Sequence, residues 1–583
     1  MADQSRNWFD VGLIVASVIL RMMNTDISRV VYELFGVGDV DVVLARPDPQ
    51  YGDYSTNIAM QLAKRLDKNP REIAEQLVEK LRGDGNFADV SIAGPGFINI
   101  RLNDAVLSAE LQQILKQTSS YGKPDTYKNK VIVTEYSDPN PFKVLHAGHL
   151  YTSVVGDAVS NLIEYAGGTV HRVNFGGDVG MHVAKTMWAI IKELGGENPD
   201  KLTEINEAER SEWMAKCYVE GTRAYEDDES AKTGIIALNK KVYQLFENND
   251  HDSAFAQIYW TCRAWSYDSF GTFYRRIGTS FEKYYPESAT SPIGLKTVLE
   301  QKEKGVYKES NGAIIFEGES YGLHTRVFVN SEGLPTYEAK DVGVSIMKWD
   351  DYHYDESIII TGNDIIEYMK VVIKSIEQFE PELAKRTKHF THGNVKLSGG
   401  IKMSSRKGNF LRATDVLDIA ADENEKAQGN RDEAPVLGAV KYAFLRSRIG
   451  PDIIFDPKES VSIHGNSGPY LQYAYARAQS ITQKRSNADL SEQAYDKFDN
   501  YERALLVKMT EYPEIIANVV LELAPHVVCT YLYDLAQTFN RFYENSHVID
   551  DDRESIRVQL VRGYASILKT GLTVLGIPTP DRI

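Results

Sequence analysis

Two short segments carry the residue types that phosphate chemistry needs. The first is PNPFKVLHAGHL, residues 139–150, where His146 and His149 flank Gly148 as a strand hands over to a helix. A helix N-terminus presents unsatisfied N–H groups and the positive end of the helix dipole, so it attracts phosphate. Imidazoles placed there can donate to phosphate oxygens as charge moves onto a leaving pyrophosphate, and Gly148 lets an adenine approach the backbone closely. Two histidines at a turn can equally be helix caps or core residues. The second segment is KMSSRKGN, residues 402–409. A mobile basic loop can close on a triphosphate and neutralise a transition state, although solvated basic loops are common. The specific signal is the combination: HxGH after the first strand of a sheet pattern and the basic loop after its last.

The elements that must position these segments follow from apolar periodicity. VIVTE (131–135) reads as a buried strand, followed by a Pro-rich loop and a helix from about Gly148 to Tyr165. VHRVNF (170–175) is a second strand, GGDVG (176–180) a turn, and Met181 to Leu194 another helix. Strand–loop–helix–strand predicts an α/β, doubly wound, parallel-sheet (Rossmann-like) domain. Residues 197–300 are polar and read as a helical acidic insertion; residues 197–252 hold 14 Asp+Glu against 7 Lys+Arg. The sheet pattern resumes with AIIFEG (313–318), TRVFVN (325–330) and SIIITG (357–362). Before this domain, a helix over about Trp8–Phe35, helical spacing over Asn57–Leu81 and the strand-like AGPGFINIRL (93–102) predict a separate α/β module. From about Asp415 the chain reads as helical almost to its end. The predicted domains are an N-terminal α/β module over 1–105, a catalytic domain over 125–425 and a helical domain over 436–583.

The totals bound the function. A chain of 583 residues, 43% hydrophobic and 25% charged, is an ordinary multidomain globular protein. Its net charge of -17 argues mildly against a polyanionic partner. The last 148 residues, from Val436, are nearly neutral, with 16 Lys+Arg against 18 Asp+Glu, so local basic strips would have to do any RNA binding. Cys217, Cys262 and Cys529 are scattered, with no CxxC pair and no zinc-site spacing. The early apolar run Val11–Leu20 is too short to cross a bilayer. A cytoplasmic protein without a membrane anchor is expected.

The two signature segments resemble those of class I aminoacyl-tRNA synthetases, and within that class the chain resembles the arginyl-tRNA synthetase family over nearly its whole length. YGDYSTNIAMQLAK (51–64) and AGPGFINI (93–100) resemble the N-terminal domain peculiar to that family. EYSDPNPFKVLHAGHL (135–150), YEAKDVG (337–343) and KMSSRKGN resemble its catalytic motifs. GNSGPYLQYAYAR (465–477) and LAQTFNRFYE (535–544) resemble its helical anticodon-binding domain. Two departures stand out. Ser405 occupies the place where the signature loop normally carries a second lysine, and the family often has a lysine before HxGH instead, where Lys143 stands. Tyr151 follows HAGHL where many members have arginine.

The resemblance implies an ATP-dependent arginine–tRNA ligase. Catalytic roles are implied for Lys143, His146, His149, Lys402 and Lys407. ATP contacts are implied for His146, Gly148, His149, Gly362, Asp364, Met403, Ser404 and Ser405. Arginine contacts are implied for Glu135, Ser137, Asn140, His146, Tyr337, Asp341 and Asn363. Arginine has a planar, permanently charged guanidinium, so its pocket needs carboxylates that accept in bidentate fashion; Tyr337 and Asp341 lie one helical turn apart and can face one site. Tyr470, Tyr473 and Arg477 are implied as tRNA contacts, because splayed bases stack on aromatic and guanidinium planes. The partners expected are tRNA(Arg), L-arginine and ATP. Mg²⁺ is expected to arrive with ATP as co-substrate, with no resident metal and no zinc, and the chain is expected to act as a monomer. The competing readings are a nucleotidylyltransferase without an RNA substrate and a synthetase-derived RNA-binding protein.

Overall fold

The computed structural model describes residues 17–398, 411–485 and 495–582. KMSSRKGN and the start of the first predicted helix lie outside the described residues. The chain divides into two compact units, one of residues 129–164 and 168–462, the other of residues 1–128, 165–167 and 463–583.

The first unit is built on a five-stranded, all-parallel sheet. Its spatial order is Thr387–His392, Glu356–Gly362, Val131–Glu135, Thr169–Gly176, Lys283–Pro286. VIVTE, the first of these in the chain, is central. Glu135 sits opposite Val173 on one side and Ile359 on the other. The strands that follow it lie to one side before the chain crosses to the other. The topological switch point therefore falls between Val131–Glu135 and Glu356–Gly362, and the crevice outside their carboxyl ends is where open α/β sheets hold ligands.

Two sequence expectations need adjustment. AIIFEG and TRVFVN do not rejoin the parallel sheet; they form a separate antiparallel sheet of Lys308–Ser310, Ala313–Phe316 and Arg326–Val329. Ala313–Phe316 alternates between buried and partly exposed residues, as a strand with one face toward water does. Conversely, Lys283–Pro286, inside the stretch read as insertion, is the edge strand of the parallel sheet, and the helix Glu287–Glu303 follows it. A four-residue edge strand reading KYYP has no apolar run to betray it. The helices Arg210–Asp227, Glu229–Glu247 and Ala254–Ile277 share a core with the helix Met181–Glu193, and Phe142 from the Pro-rich loop is plugged into that core beside Val183, Met187 and Tyr259.

The second unit joins the two ends of the chain. Its front sheet is antiparallel, ordered Leu44–Ala45, Tyr54–Thr56, Phe97–Leu102, Phe87–Ala93. The helical spacing over 57–81 becomes two helices, Ile58–Leu66 and Pro70–Leu81, because Asp67 adopts a left-handed φ of 51° and Pro70 starts the second. The helices Val18–Phe35 and Asp104–Gln117 complete the front part, and Gly468–Lys484, Asn500–Thr510, Tyr512–Glu522, Pro525–Asn545 and Glu554–Val574 follow from the other end of the chain. Arg503 ties the two parts together. Its guanidinium forks onto Asp53 at 2.9 and 2.7 Å, reaches Asp104 at 3.2 Å and donates to the Leu102 carbonyl at 3.0 Å.

Candidate active site

HAGH is a capping box made of imidazoles. His146 immediately precedes the helix Ala147–Tyr165, and its Nδ1 accepts the Gly148 N–H at 3.1 Å. His149 reaches back, its Nδ1 accepting the His146 N–H at 3.1 Å. The usual box uses Ser or Thr with Glu; here two rings with centroids 3.8 Å apart do the work. A Cβ on Gly148 would lie 2.8 Å from the His146 ring, so glycine is what allows the cap to close. His146 keeps an exposed edge, yet the protein packed around its ring desolvates it and lowers its pKa to about 4, with Lys143 adding to the effect and Asp364 opposing it. Burial, His146 and Lys143 hold His149 well below the ordinary histidine range. Both rings are neutral at pH 7, and because each Nδ1 is an acceptor, each proton resides on Nε2. The caps thus leave two Nε2–H donors at a helix N-terminus.

The strand ends at Glu135, and the loop after it is strained. Ser137, Asp138 and Phe142 take left-handed φ values of 72°, 45° and 67°, each costing on the order of 1 kcal/mol. The surroundings hold it there. Asp138 accepts the Phe175 N–H at 2.8 Å, Asn140 Oδ1 accepts the Gly177 N–H at 2.8 Å, and the Ser137 hydroxyl meets the Tyr274 hydroxyl at 2.8 Å. The Phe142 N–H donates to Ser266 Oγ at 3.0 Å. Lys143 follows directly, and burial lowers it to about 8 while the Glu287 charge works the other way.

Four carboxyl groups gather on the other side of this loop, and they are not equivalent. Glu135 is bound by Lys348 at 2.6 Å, and Lys348 also donates to Ser357. Glu287 is bound by Lys340 at 2.6 Å. Asp138 has its backbone donor, and burial followed by the Glu135 charge pushes it well above the carboxylate range. Asp341 receives only the Tyr368 hydroxyl and has no salt-bridge partner among the described residues. Burial pushes it up to about 8, against the Tyr368 hydrogen bond, with Glu135 and Glu287 raising it further. Tyr337, one turn before Asp341 at the start of the helix Tyr337–Tyr352, leaves its ring half exposed, with Lys340 Nζ 5.0 Å from its centre.

Across the switch point, Gly362 ends its strand and Asn363 and Asp364 are exposed. A Cβ on Gly362 would lie 2.6 Å from Asp364 Oδ1. Asp364 is near enough to act on the charge of His146. Lys402, Met403, Ser404, Ser405 and Lys407 lie outside the described residues. The residues just after them are held to the HAGH turn: the Ala147 N–H donates to Leu411 O at 2.9 Å and the Ala413 N–H to Leu145 O at 3.0 Å. Tyr151 is fully buried against His392 and Phe444.

Residues 110–455, more than half of the chain, match the family of class I tRNA synthetases (R), catalytic domain. The chain belongs to the arginyl-tRNA synthetase family. Residues 21–102 match the arginyl tRNA synthetase N terminal domain and residues 471–583 the DALR anticodon binding domain. The synthetase is 27% identical to a Porphyromonas gingivalis protein named arginine–tRNA ligase, with 97% of this chain and 100% of the relative aligned. A Treponema denticola arginine–tRNA ligase is 29% identical, with 91% and 93% aligned. Among solved structures, Thermus thermophilus arginyl-tRNA synthetase superposes with a TM-score of 0.75 at 24% identity, covering 97% of this chain and 100% of that one. The Plasmodium falciparum enzyme gives 0.76 at 21% identity, covering 98% and 100%. These two likenesses speak to the fold.

The helical domain of the synthetase sorts its tyrosines. Tyr475 is fully buried, whereas Tyr473 is exposed. The Arg477 guanidinium lies 4.9 Å from the Tyr473 ring centre and 5.2 Å from that of Tyr543, and reaches Asn540 at 3.3 Å. Tyr470 accepts from the Asn540 amide at 2.8 Å. Phe539 is stacked in the core on Tyr564.

Sequence reasoning missed three residues of the synthetase that organise the cleft. Lys348 neutralises Glu135. Glu287 sits beside Gly177, where a Cβ would come within 3.0 Å of its carboxylate. Asp178, within the GGDVG turn, takes Ser288 N–H at 2.8 Å, Ser288 Oγ at 2.7 Å and Arg263 at 2.9 Å, fastening that turn to two helices. A carboxylate directly after a parallel strand is a readable sign, but only once Lys283–Pro286 is known to be one.

Proposed function

We propose that arginine is activated in the crevice at the carboxyl edge of Val131–Glu135. The protein is an arginine–tRNA ligase that uses ATP to form arginyl-adenylate and passes the arginyl group to tRNA. In the first step the arginine carboxylate attacks the α-phosphate in line and pyrophosphate leaves. His146 and His149 donate from Nε2 to phosphate oxygens, and Lys143 supplies mobile positive charge with Lys402 and Lys407. Met403, Ser404 and Ser405 contact ATP, Gly148 makes room for adenine, and Gly362 with Asp364 receives the ribose. The work is positioning and charge stabilisation, with no covalent enzyme intermediate. Mg²⁺ enters on the phosphates of ATP as part of the co-substrate.

The observation that carries the amino-acid assignment is Asp341. Glu135 and Glu287 have lysines and Asp138 holds the Phe175 N–H, whereas Asp341 has only the Tyr368 hydroxyl among the described residues, and burial raises it to about 8. A guanidinium supplies that cation in bidentate form. Glu135 then acts by shaping the pocket through Lys348. Ser137 and the Oδ1 of Asn140 are committed to the loop, so Asn140 contributes its Nδ2 donors to the arginine carboxylate, alongside Asn363 and the half-exposed Tyr337. In the second step a terminal ribose hydroxyl of tRNA(Arg) attacks the adenylate, with Tyr470, Tyr473 and Arg477 receiving anticodon bases. No helix among the described residues is long and apolar enough to cross a membrane, and we place the protein in the cytoplasm as a monomer.

Amino-acid-dependent ATP–pyrophosphate exchange, with and without tRNA, tests this reading. Exchange with L-arginine alone among the twenty amino acids, and only when tRNA(Arg) is present, is expected. Exchange driven by another acid and indifferent to tRNA favours the nucleotidylyltransferase reading and overturns this one.

A further inference from the structure

His182 stands on the first turn of the helix Met181–Glu193 and is 7% exposed. Its Nε2 lies 2.7 Å from the carbonyl oxygen of Gly177. A carbonyl only accepts, so Nε2 carries the proton and Nδ1 is a lone-pair acceptor. That Nδ1 is buried and has no hydrogen-bond partner among the described residues. Gly177 is held from both ends, since its N–H donates to Asn140 Oδ1 while its carbonyl takes the imidazole proton. One residue therefore orients two side chains, leaving a donor-only end on Asn140 and an acceptor-only end on His182.

Two glycines adjoin this pair. A Cβ on Gly177 would come within 3.0 Å of the Glu287 carboxylate, and one on Gly180 would lie 4.0 Å from His182 Nδ1 and 3.8 Å from Lys340 Nζ. Gly180 also has φ +107°, which an L side chain rarely adopts. Lys340 cannot serve the histidine while it is bound to Glu287 at 2.6 Å. An acceptor left without a donor in the free protein gains a full hydrogen bond when a ligand brings one.

We propose that His182 Nδ1 accepts a hydrogen bond from a cationic N–H of bound arginine, as a further substrate-binding residue acting opposite the Nδ2 of Asn140. Burial and the ammonium groups of Lys143, Lys340 and Lys185 keep the imidazole neutral, so the lone pair survives at neutral pH. The inference rests on the reading of this cleft as the arginine site. The donor is either the α-ammonium or the guanidinium; both are nitrogen cations of the same ligand.

The test uses the full chain with tRNA present. In His182→Phe, which keeps the ring volume and removes the acceptor, the arginine KM in pyrophosphate exchange is expected to rise roughly tenfold or more, with the ATP KM within about twofold of wild type. His182→Gln, which can both donate to Gly177 and accept, is expected to restore most of the loss. In wild-type protein labelled with ¹⁵N-histidine, saturating arginine is expected to shift the Nδ1 resonance that His182→Gln removes. Competition by 5-guanidinopentanoate, arginine without its amino group, separates the donors. Weaker competition in His182→Phe assigns the guanidinium, and unchanged competition the α-ammonium. An arginine KM within twofold of wild type in folded His182→Phe, or an Nδ1 signal unmoved by arginine, overturns the inference. If His182→Phe does not fold, the resonance decides alone. Wild-type protein without arginine-dependent exchange would instead sink the underlying assignment of the cleft.

Discussion

The two units of the molecule differ at particular buried charges: both contain closed ion pairs, but the carboxyl in the crevice beside the parallel sheet has only a hydroxyl partner among the described residues. In the unit that joins the chain ends, compensation is internal. Arg503 forks onto Asp53, fully buried Glu502 takes both Arg553 and Arg557, and Arg46 reaches Glu514 at 2.7 Å. In the catalytic unit Asp341 has no cation among the described residues, Lys143 is pushed down to about 8, and Ser137, Asp138 and Phe142 of one loop take left-handed φ. A scaffold that must keep one shape closes its own ion pairs, whereas a site that must recognise a cation leaves a carboxylate for the ligand to complete. The cost of that incompleteness belongs to the free protein.

The largest test of the contrast is Asp341→Ala. Removing the carboxylate should lower kcat/KM for arginine activation by two to three orders of magnitude, roughly what breaking a desolvated charge pair costs, measured by pyrophosphate exchange. Lys143→Ala should lower kcat by about a hundredfold, with the arginine KM little changed, because its charge acts on phosphates. Arg503→Ala leaves Asp53 and Asp104 without their guanidinium and should destabilise its unit by about 3 kcal/mol, read as a lower midpoint of urea unfolding.

Asp341→Asn sharpens the comparison, because it should stabilise the ligand-free protein by about 1–2 kcal/mol while removing activity. The sign follows from the direction of the shift. A carboxyl raised in the fold to about 8 burdens stability progressively as pH rises from its unfolded value, near 4, through 8. The gain in Asp341→Asn should therefore be greatest above pH 8 and vanish near pH 4; a gain independent of pH would show that the charge is not its origin. The same two groups set the activity profile. Arginine capture improves as Asp341 ionises toward pH 8, and Lys143 loses its charge as pH rises through about 8. Arginine kcat/KM for the free enzyme should be bell-shaped and centred near pH 8, with no inflection near 6.5, since both HAGH histidines stay neutral. The smallest effect belongs to the paired-charge unit's surface. Tyr473→Ala should raise the tRNA KM severalfold, about the value of one stacked base, without altering the arginine KM.

Local pattern made much of this legible. VIVTE reads as a buried strand because it is central and covered on both faces, and HAGH reads as a helix start because caps and dipole act within one turn. What local pattern could not show was partnership. Glu135 and Asp341 look alike in sequence, yet Lys348 from a distant helix pairs with one, while the other receives only the Tyr368 hydroxyl among the described residues. The short edge strand Lys283–Pro286 carries too little apolar surface to announce itself, and with it Glu287 was hidden.

Sequence by itself determined the residue types, the Rossmann-like scaffold and the helix start at HAGH, because helix periodicity, capping and glycine geometry operate over a few residues. Tertiary structure alone decided which carboxylates keep their charge, which tautomers the imidazoles adopt and which polar atoms remain for ligands. Those outcomes depend on desolvation and on cations brought from far along the chain, and neither is written in any one segment.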